Sequence, residues 1–263
     1  MGNPAGAIAE PELQDWRGGL AIALPPVSSR RILVFRVDLG PGPAGDDPQR
    51  LDEWQHLSDD ERSRALRFLR PGDRRKFVRG RGALREVLGH VLQVPPDQVA
   101  FRVGPGGKPE LEPGFGGPSA VAVRFNVTHS GELALIAVGW NRELGIDVEK
   151  VRTVAESERI VTAYFTPDEI AEFRNVGPES RDLAFLRGWT RKEAILKARG
   201  VGLAGLARRF ETRFGTTPLT DQFLPVRPQW RVDEFELWEC APAAGYVATL
   251  AIGGEPSDEN SRS

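Results

Sequence analysis

Two capping boxes set 108 residues apart limit what this chain can fold into more than any other feature. Ser58-Asp-Asp-Glu61 and Thr166-Pro167-Asp168-Glu169 each put a hydroxyl residue three positions ahead of a glutamate. In that spacing the hydroxyl accepts from the third helical amide and the carboxylate reaches back to the cap amide, so each box starts a helix. Pro167 adds the favoured first-turn proline. The same order then follows twice: capped helix, break, longer helix, strands. The first helix is expected to run to about Leu69, with a break at Pro71-Gly72 and a second helix from about Arg74 to Leu92. In the second copy a helix reaches about Arg174, residues 176–181 are loop, and a long helix covers about Asp182 to Arg199. Apolar alternation predicts strands at Arg31–Leu39 and Phe101–Val103. Val121–Val127 and Leu133–Val138 read as a hairpin around residues 128–131, followed by a strand at Leu144–Val148. Later strands are expected near Phe210–Phe214, Trp230–Trp238 and Tyr246–Ile252. The pattern reads as an α+β fold of two similar α/β halves, 30–139 and 140–252, with a ligand cleft between them. Chance recurrence of a common element order is the alternative. Residues 1–29, rich in Gly, Ala and Pro, read as a flexible leader, and 253–263 as a disordered tail.

The 263 residues are 40% hydrophobic, enough to bury a substantial core. A single cysteine, Cys240, excludes an internal disulfide and a thiolate zinc site. No apolar run approaches the length of a membrane span, and no basic segment followed by an apolar one opens the chain, so the expected location is the cytoplasm. A formal net charge of −2 argues against a general nucleic-acid binder. The charge is uneven, however: residues 61–85 hold ten Lys/Arg against Glu61 and Asp73. Such a block is either a solvated helix face or the footprint of a local anionic ligand.

Four segments carry chemistry. In Leu144-Gly-Ile-Asp147-Val-Glu149-Lys150, strand alternation sends Leu144, Ile146 and Val148 to one face and Asp147 and Glu149 to the other. Paired carboxylates suit either solvent or a hard cation such as Mg²⁺, which takes one or two carboxylates plus phosphate oxygens. In Trp189-Thr-Arg-Lys192-Glu193-Ala-Ile-Leu196-Lys197, helical spacing puts Trp189, Glu193, Leu196 and Lys197 along one side. Glu193 and Lys197 are then either a surface pair or, on a partly buried face, groups in want of counter-charge. Phe125-Asn-Val-Thr-His129-Ser130-Gly131 runs a strand into a glycine turn able to cradle phosphate. Gly106-Gly107-Lys108-Pro109 is a tight turn presenting one ammonium, and is not a P-loop. Glu149 and Lys150 are adjacent, without the spacer that metal-dependent nucleases place between carboxylate and lysine.

Together, FNVTHSGELALIAVG, LGIDVEK and WTRKEAILKARGVGL closely resemble the signature blocks of the Sfp-type 4′-phosphopantetheinyl transferases. The likeness extends over about residues 55–215. It implies a monomer with pseudo-twofold halves, coenzyme A in the cleft, and an acyl or peptidyl carrier protein as partner, with no nucleic acid and no membrane. It further implies that Asp147, Glu149 and Glu193 hold Mg²⁺, with Glu193 or Glu149 as general base. His129, Ser130, Lys192 and Lys197 would contact the phosphates and the pantetheine arm, Gly107, Lys108 and Pro109 the adenine and phosphate wall, and Arg64 and Lys76 the 3′-phosphate. Glu61 departs from the family by standing where some members carry a base. Phe165, Phe173, Phe185 and Leu186 read either as core or as a carrier-docking surface.

Overall fold

The computed structural model describes residues 10–16, 18, 31–41, 47–104, 107–115, 122–202, 207–215, 218–226, 231–232 and 234–254. The first half contains β1 (Glu12–Asp15), β2 (Leu33–Asp38), α1 (Asp59–Leu66), α2 (Pro71–Leu92), β3 (Phe101–Val103), β4 (Pro109–Leu111), β5 (Val123–Ser130) and β6 (Leu133–Trp140). The second contains β7 (Leu144–Lys150), α3 (Ser157–Tyr164), α4 (Pro167–Arg174), α5 (Pro178–Ala198), β8 (Leu224–Pro225), β9 (Arg231–Val232), β10 (Phe235–Cys240) and β11 (Tyr246–Gly253).

Both capping boxes close. The Glu61 amide donates to Ser58 Oγ at 3.4 Å and the Ser58 amide to Glu61 Oε2 at 3.1 Å. The matching bonds at Thr166 and Glu169 are 3.3 and 2.9 Å. The prolines correct two boundaries. Pro71 and Pro178 open α2 and α5, because a residue without an N–H costs nothing in the first turn. Residues 178–181 are therefore helix, and Pro71-Gly72 belongs to α2. The hairpin turn sits at Gly131-Glu132, with Gly131 at φ 60°, so Thr128, His129 and Ser130 are strand residues. Phe210–Phe214 forms no strand, since the Glu169 carboxylate takes the Thr212 and Arg213 amides at 2.6 and 3.2 Å. Glu12–Asp15, inside the expected leader, is an edge strand parallel to β2. Gly253 ends β11. Residues 1–9, 19–30 and 255–263, with Val121 and Trp230, lie outside the described residues.

The two halves share a topology. In the first sheet, of order β1-β2-β6-β5, the strand before the helices pairs antiparallel with the last strand, which the penultimate strand flanks. In the second, of order β7-β11-β10-β8 with β9 also on β10, β7, β11 and β10 repeat that arrangement. The sheets stack face to face. Ile32, Val34, Leu133, Leu135 and Ala137 of the first meet Leu144, Ile146, Val148, Leu250 and Ile252 of the second. The opposite face of the first sheet buries Phe35, Ile136 and Val138 against Leu84, Val87 and Leu88 of α2. The opposite face of the second packs Leu237 and Ala251 on Ala194, Ile195 and Ala198 of α5. The result is four layers, helix–sheet–sheet–helix. β6 is covered on both sides, which is why its eight residues are all buried.

Candidate active site

β7 is the edge strand of its sheet, and its free backbone groups are taken up by side chains from other elements. An edge left unsatisfied inside a protein would be costly. Asn126 Oδ1 accepts from the Ile146 amide at 2.9 Å, and Ser130 Oγ from the Lys150 amide at 3.1 Å. Lys197 Nζ donates to the Ile146 carbonyl at 3.3 Å, and Lys108 Nζ to the Leu144 carbonyl at 3.2 Å. These bonds stitch β5, β7 and α5 together, and the acidic groups gather along that seam.

The expected alternation of β7 holds. Leu144, Ile146 and Val148 enter the core between the sheets. Gly145, on the other face, lies so close to α5 that a Cβ there would overlap the Ala194 carbonyl and the Ala198 amide. That approach carries Glu193 and Lys197 to Asp147. Lys197 Nζ is 2.6 Å from Asp147 Oδ1, which also accepts from Thr128 Oγ1 at 3.1 Å. Asp147 Oδ2 is buried with no hydrogen-bond partner among the described residues. Glu149 accepts from Ser130 Oγ at 2.9 Å and pairs with Arg152 at 2.9 Å. Burial raises the Asp147 carboxyl above the ordinary range; Lys197 opposes this and the Glu149 charge adds to it. Glu193 is likewise raised, by burial first and then by the Asp147 charge, with Glu149 adding and Lys197 opposing. The Glu149 charge is therefore felt at both Asp147 and Glu193, and that of Asp147 at Glu193.

A hard divalent cation fits this donor set. As placed, no group of three or more His, Cys, Asp or Glu side chains among the described residues is close enough to hold a metal. Mg²⁺ does not require such a cage, because it keeps several waters and binds through one or two carboxylates and substrate phosphates. Asp147 Oδ2, buried and without a hydrogen-bond partner among the described residues, is an acceptor that such an ion could take.

The other expected residues are distributed unevenly. His129 is exposed near the end of β5, and Ser130 is engaged by β7 and Glu149. Lys108 reaches across the halves to the Leu144 and Lys197 carbonyls, the latter at 3.0 Å in the last turn of α5. Burial lowers its ammonium below the ordinary lysine range. It clasps the two halves where a phosphate contact was expected. Gly107 is exposed at φ 81°, and Pro109 begins β4. Arg64 lies exposed on α1, 5.1 Å from the Phe77 ring, and Lys76 is half-buried on α2. Glu61 binds Arg81 and Arg85. Lys192 requires a correction. It is 0% exposed, bonded to Glu169 at 2.8 Å and set near the Phe165 and Phe210 rings, so no ligand in the cleft can reach it. Phe165, Phe173, Phe185 and Leu186 are core, which removes them as a docking surface. Thr128 and Arg152 were not among the expected site residues. Thr128 was legible as the position between Asn126 and Ser130 on one face of β5; nothing local marked Arg152.

The 4′-phosphopantetheinyl transferase N-terminal model matches residues 47–141, and the 4′-phosphopantetheinyl transferase superfamily model matches residues 143–251. The chain is 39% identical over 198 residues to the 4′-phosphopantetheinyl transferase HetI of Nostoc sp., covering 75% of this chain and 79% of that protein. It is 30% identical over 190 residues to the L-aminoadipate-semialdehyde dehydrogenase-phosphopantetheinyl transferase of Xenopus laevis (68% and 61%). It is 26% identical over 200 residues to 4′-phosphopantetheinyl transferase psf-1 of Bacillus pumilus (73% and 81%). With two stacked halves of one topology and an acidic seam between them, matched half by half by these models, the chain belongs to the 4′-phosphopantetheinyl transferase superfamily.

Proposed function

We propose that this transferase moves the 4′-phosphopantetheine arm of coenzyme A onto a serine of an apo acyl or peptidyl carrier protein, releasing 3′,5′-ADP, with Mg²⁺ as cofactor. The observation that carries this reading is the buried Asp147 carboxylate oxygen without a partner among the described residues, on the strand that also bears Glu149 and packs closely on α5, which bears Glu193 and Lys197. Asp147, through Oδ2, with Glu193 and Glu149, would hold the Mg²⁺. When bound, that ion neutralises pyrophosphate charge and makes the attacked phosphorus more electrophilic.

The chain's own residues supply the rest. Glu193 accepts the proton of the carrier serine, and Glu149 is the second candidate for that task. The serine Oγ forms a bond to the phosphorus nearest pantetheine. The bond from that phosphorus to the bridging oxygen breaks, and its electron pair leaves with 3′,5′-ADP. Lys197 and His129 stabilise the departing phosphate by charge-assisted hydrogen bonds. Arg64 and Lys76, which carry no ion pair among the described residues, receive the 3′-phosphate. Gly107 and Pro109 form part of the adenine wall. No helix among the described residues is long and apolar enough to cross a membrane. We place the reaction in the cytoplasm and the enzyme as a monomer.

The test is to incubate the protein with several apo carriers, coenzyme A and Mg²⁺ and to weigh the carriers intact. A gain of the phosphopantetheine mass is expected, and no gain on any carrier defeats the reading. Glu193→Gln should lower turnover by roughly 10²–10⁴-fold with an unchanged fold. Wild-type turnover in that variant removes Glu193 from the chemistry.

A further inference from the structure

The turn between β3 and β4 sends one side chain across to the second half. Its backbone is closed locally: the Gly104 amide donates to the Lys108 carbonyl at 2.8 Å, and the Gly107 amide to the Gly104 carbonyl at 3.2 Å. From this fixed base Lys108 Nζ donates to the Leu144 carbonyl at 3.2 Å and to the Lys197 carbonyl at 3.0 Å. Leu144 opens β7, the strand that carries Asp147, and Lys197 lies in the last turn of α5. Carbonyls in the last turn of a helix lack the intrahelical partners of the interior, and an ammonium beside them also meets the negative end of the helix dipole. Lys108 therefore caps α5 from the other half of the molecule and ties that cap to β7. The residue whose carbonyl it holds is the one whose side chain reaches Asp147 Oδ1, at 2.6 Å.

We propose that Lys108 is a positioning residue: by holding the end of α5 against β7 it keeps the Lys197 ammonium beside Asp147. This role presupposes the transfer reaction proposed above, in which Lys197 steadies the departing phosphate. Without the clasp the last turn of α5 would fray, as helix ends do, and Lys197 would lose its fixed place. A direct phosphate contact by Lys108 fits the geometry less well. Two of the three ammonium hydrogens already go to carbonyls, and burial disfavours the charged form that a phosphate would select.

The test uses the full chain with coenzyme A and an apo acyl carrier protein, below the thermal midpoint of each variant. Lys108→Met should lower kcat by roughly 10–10²-fold, the scale of a small misplacement of a catalytic group. KM and Kd for coenzyme A should stay at wild-type values. On a Lys197→Met background the same change should cost nothing further, because it acts through Lys197. Backbone amides of residues 196–201 should exchange hydrogen faster in Lys108→Met, while those of β6 keep wild-type protection. Lys108→Gln carries the same expectations should the methionine variant fold poorly. A raised Kd for coenzyme A at wild-type kcat would make Lys108 a phosphate contact and overturn the proposal. So would losses that add in the double variant, or unchanged exchange at 196–201. If the wild type modifies no carrier, the transfer reading fails, and the exchange measurement decides separately whether Lys108 holds the end of α5.

Discussion

Lys192→Met tests whether the lysine beside Glu193 serves the fold or the ligand. Lys192 and Glu169 are both 0% exposed, and their charged groups are 2.8 Å apart. Burial, the largest influence, lowers the lysine below its ordinary range while Glu169 resists; the glutamate, raised by burial, is brought below its own range by Lys192 and by the Thr166 and Thr212 amides. Removing one partner of a buried pair costs about 3–5 kcal/mol, because the other charge is left uncompensated. Here the abandoned carboxylate keeps four donors: the Thr166, Thr212 and Arg213 amides and Thr212 Oγ1. That argues for the lower end, about 3 kcal/mol. At ~2–4 °C per kcal/mol for a chain of this size, the midpoint should fall by roughly 6–12 °C. The reverse change, Glu169→Leu, removes the carboxylate bonded to a buried ammonium, and should cost about 3–5 kcal/mol. Replacing both with apolar residues should recover much of the loss. Urea unfolding followed by circular dichroism measures all three variants, and calorimetry measures coenzyme A affinity below the transition. Lost affinity at unchanged stability would return Lys192 to the ligand and refute the structural assignment.

Two further outcomes follow from the seam and the buried ion pairs. Gly145→Ala should push α5 away from β7, costing about 1–3 kcal/mol by overpacking and lowering turnover as Glu193 and Lys197 retreat from Asp147; thermal midpoint and initial rate measured together check this, and a fully active, equally stable variant would contradict the close packing. Glu169 and Glu239 both resist protonation: burial raises each, but Lys192 in one case and the Arg191 and Arg187 guanidiniums in the other outweigh it. A carboxyl whose folded value is depressed contributes stability above its unfolded value, and that contribution is lost as pH falls. The urea midpoint should therefore drop between about pH 5 and about pH 3, and Glu239→Gln should flatten that drop.

The legible parts were those in which local chemistry has one outlet. Ser58/Glu61 and Thr166/Glu169 close their boxes within a single turn, with no help from distant residues. Leu144, Ile146 and Val148 alternate with Asp147 and Glu149, and period-two alternation admits no other sorting of faces. The prolines were harder, since Pro71 and Pro178 can end one helix or open the next. Phe210–Phe214 has strand composition, but a buried carboxylate from α4 takes its amides.

What the sequence determined by itself is the repeated order of elements and the identity of the acidic groups, because caps and alternation act between neighbours. Which groups meet was decided by tertiary structure. Lys192 and Glu193 are adjacent in sequence, yet a helix turns successive side chains about 100° apart; one entered the core beside Glu169 and the other faced Asp147. Lys108 joined the last turn of α5 across 89 residues of chain, and only the stacking of the two sheets brings those ends within a hydrogen bond.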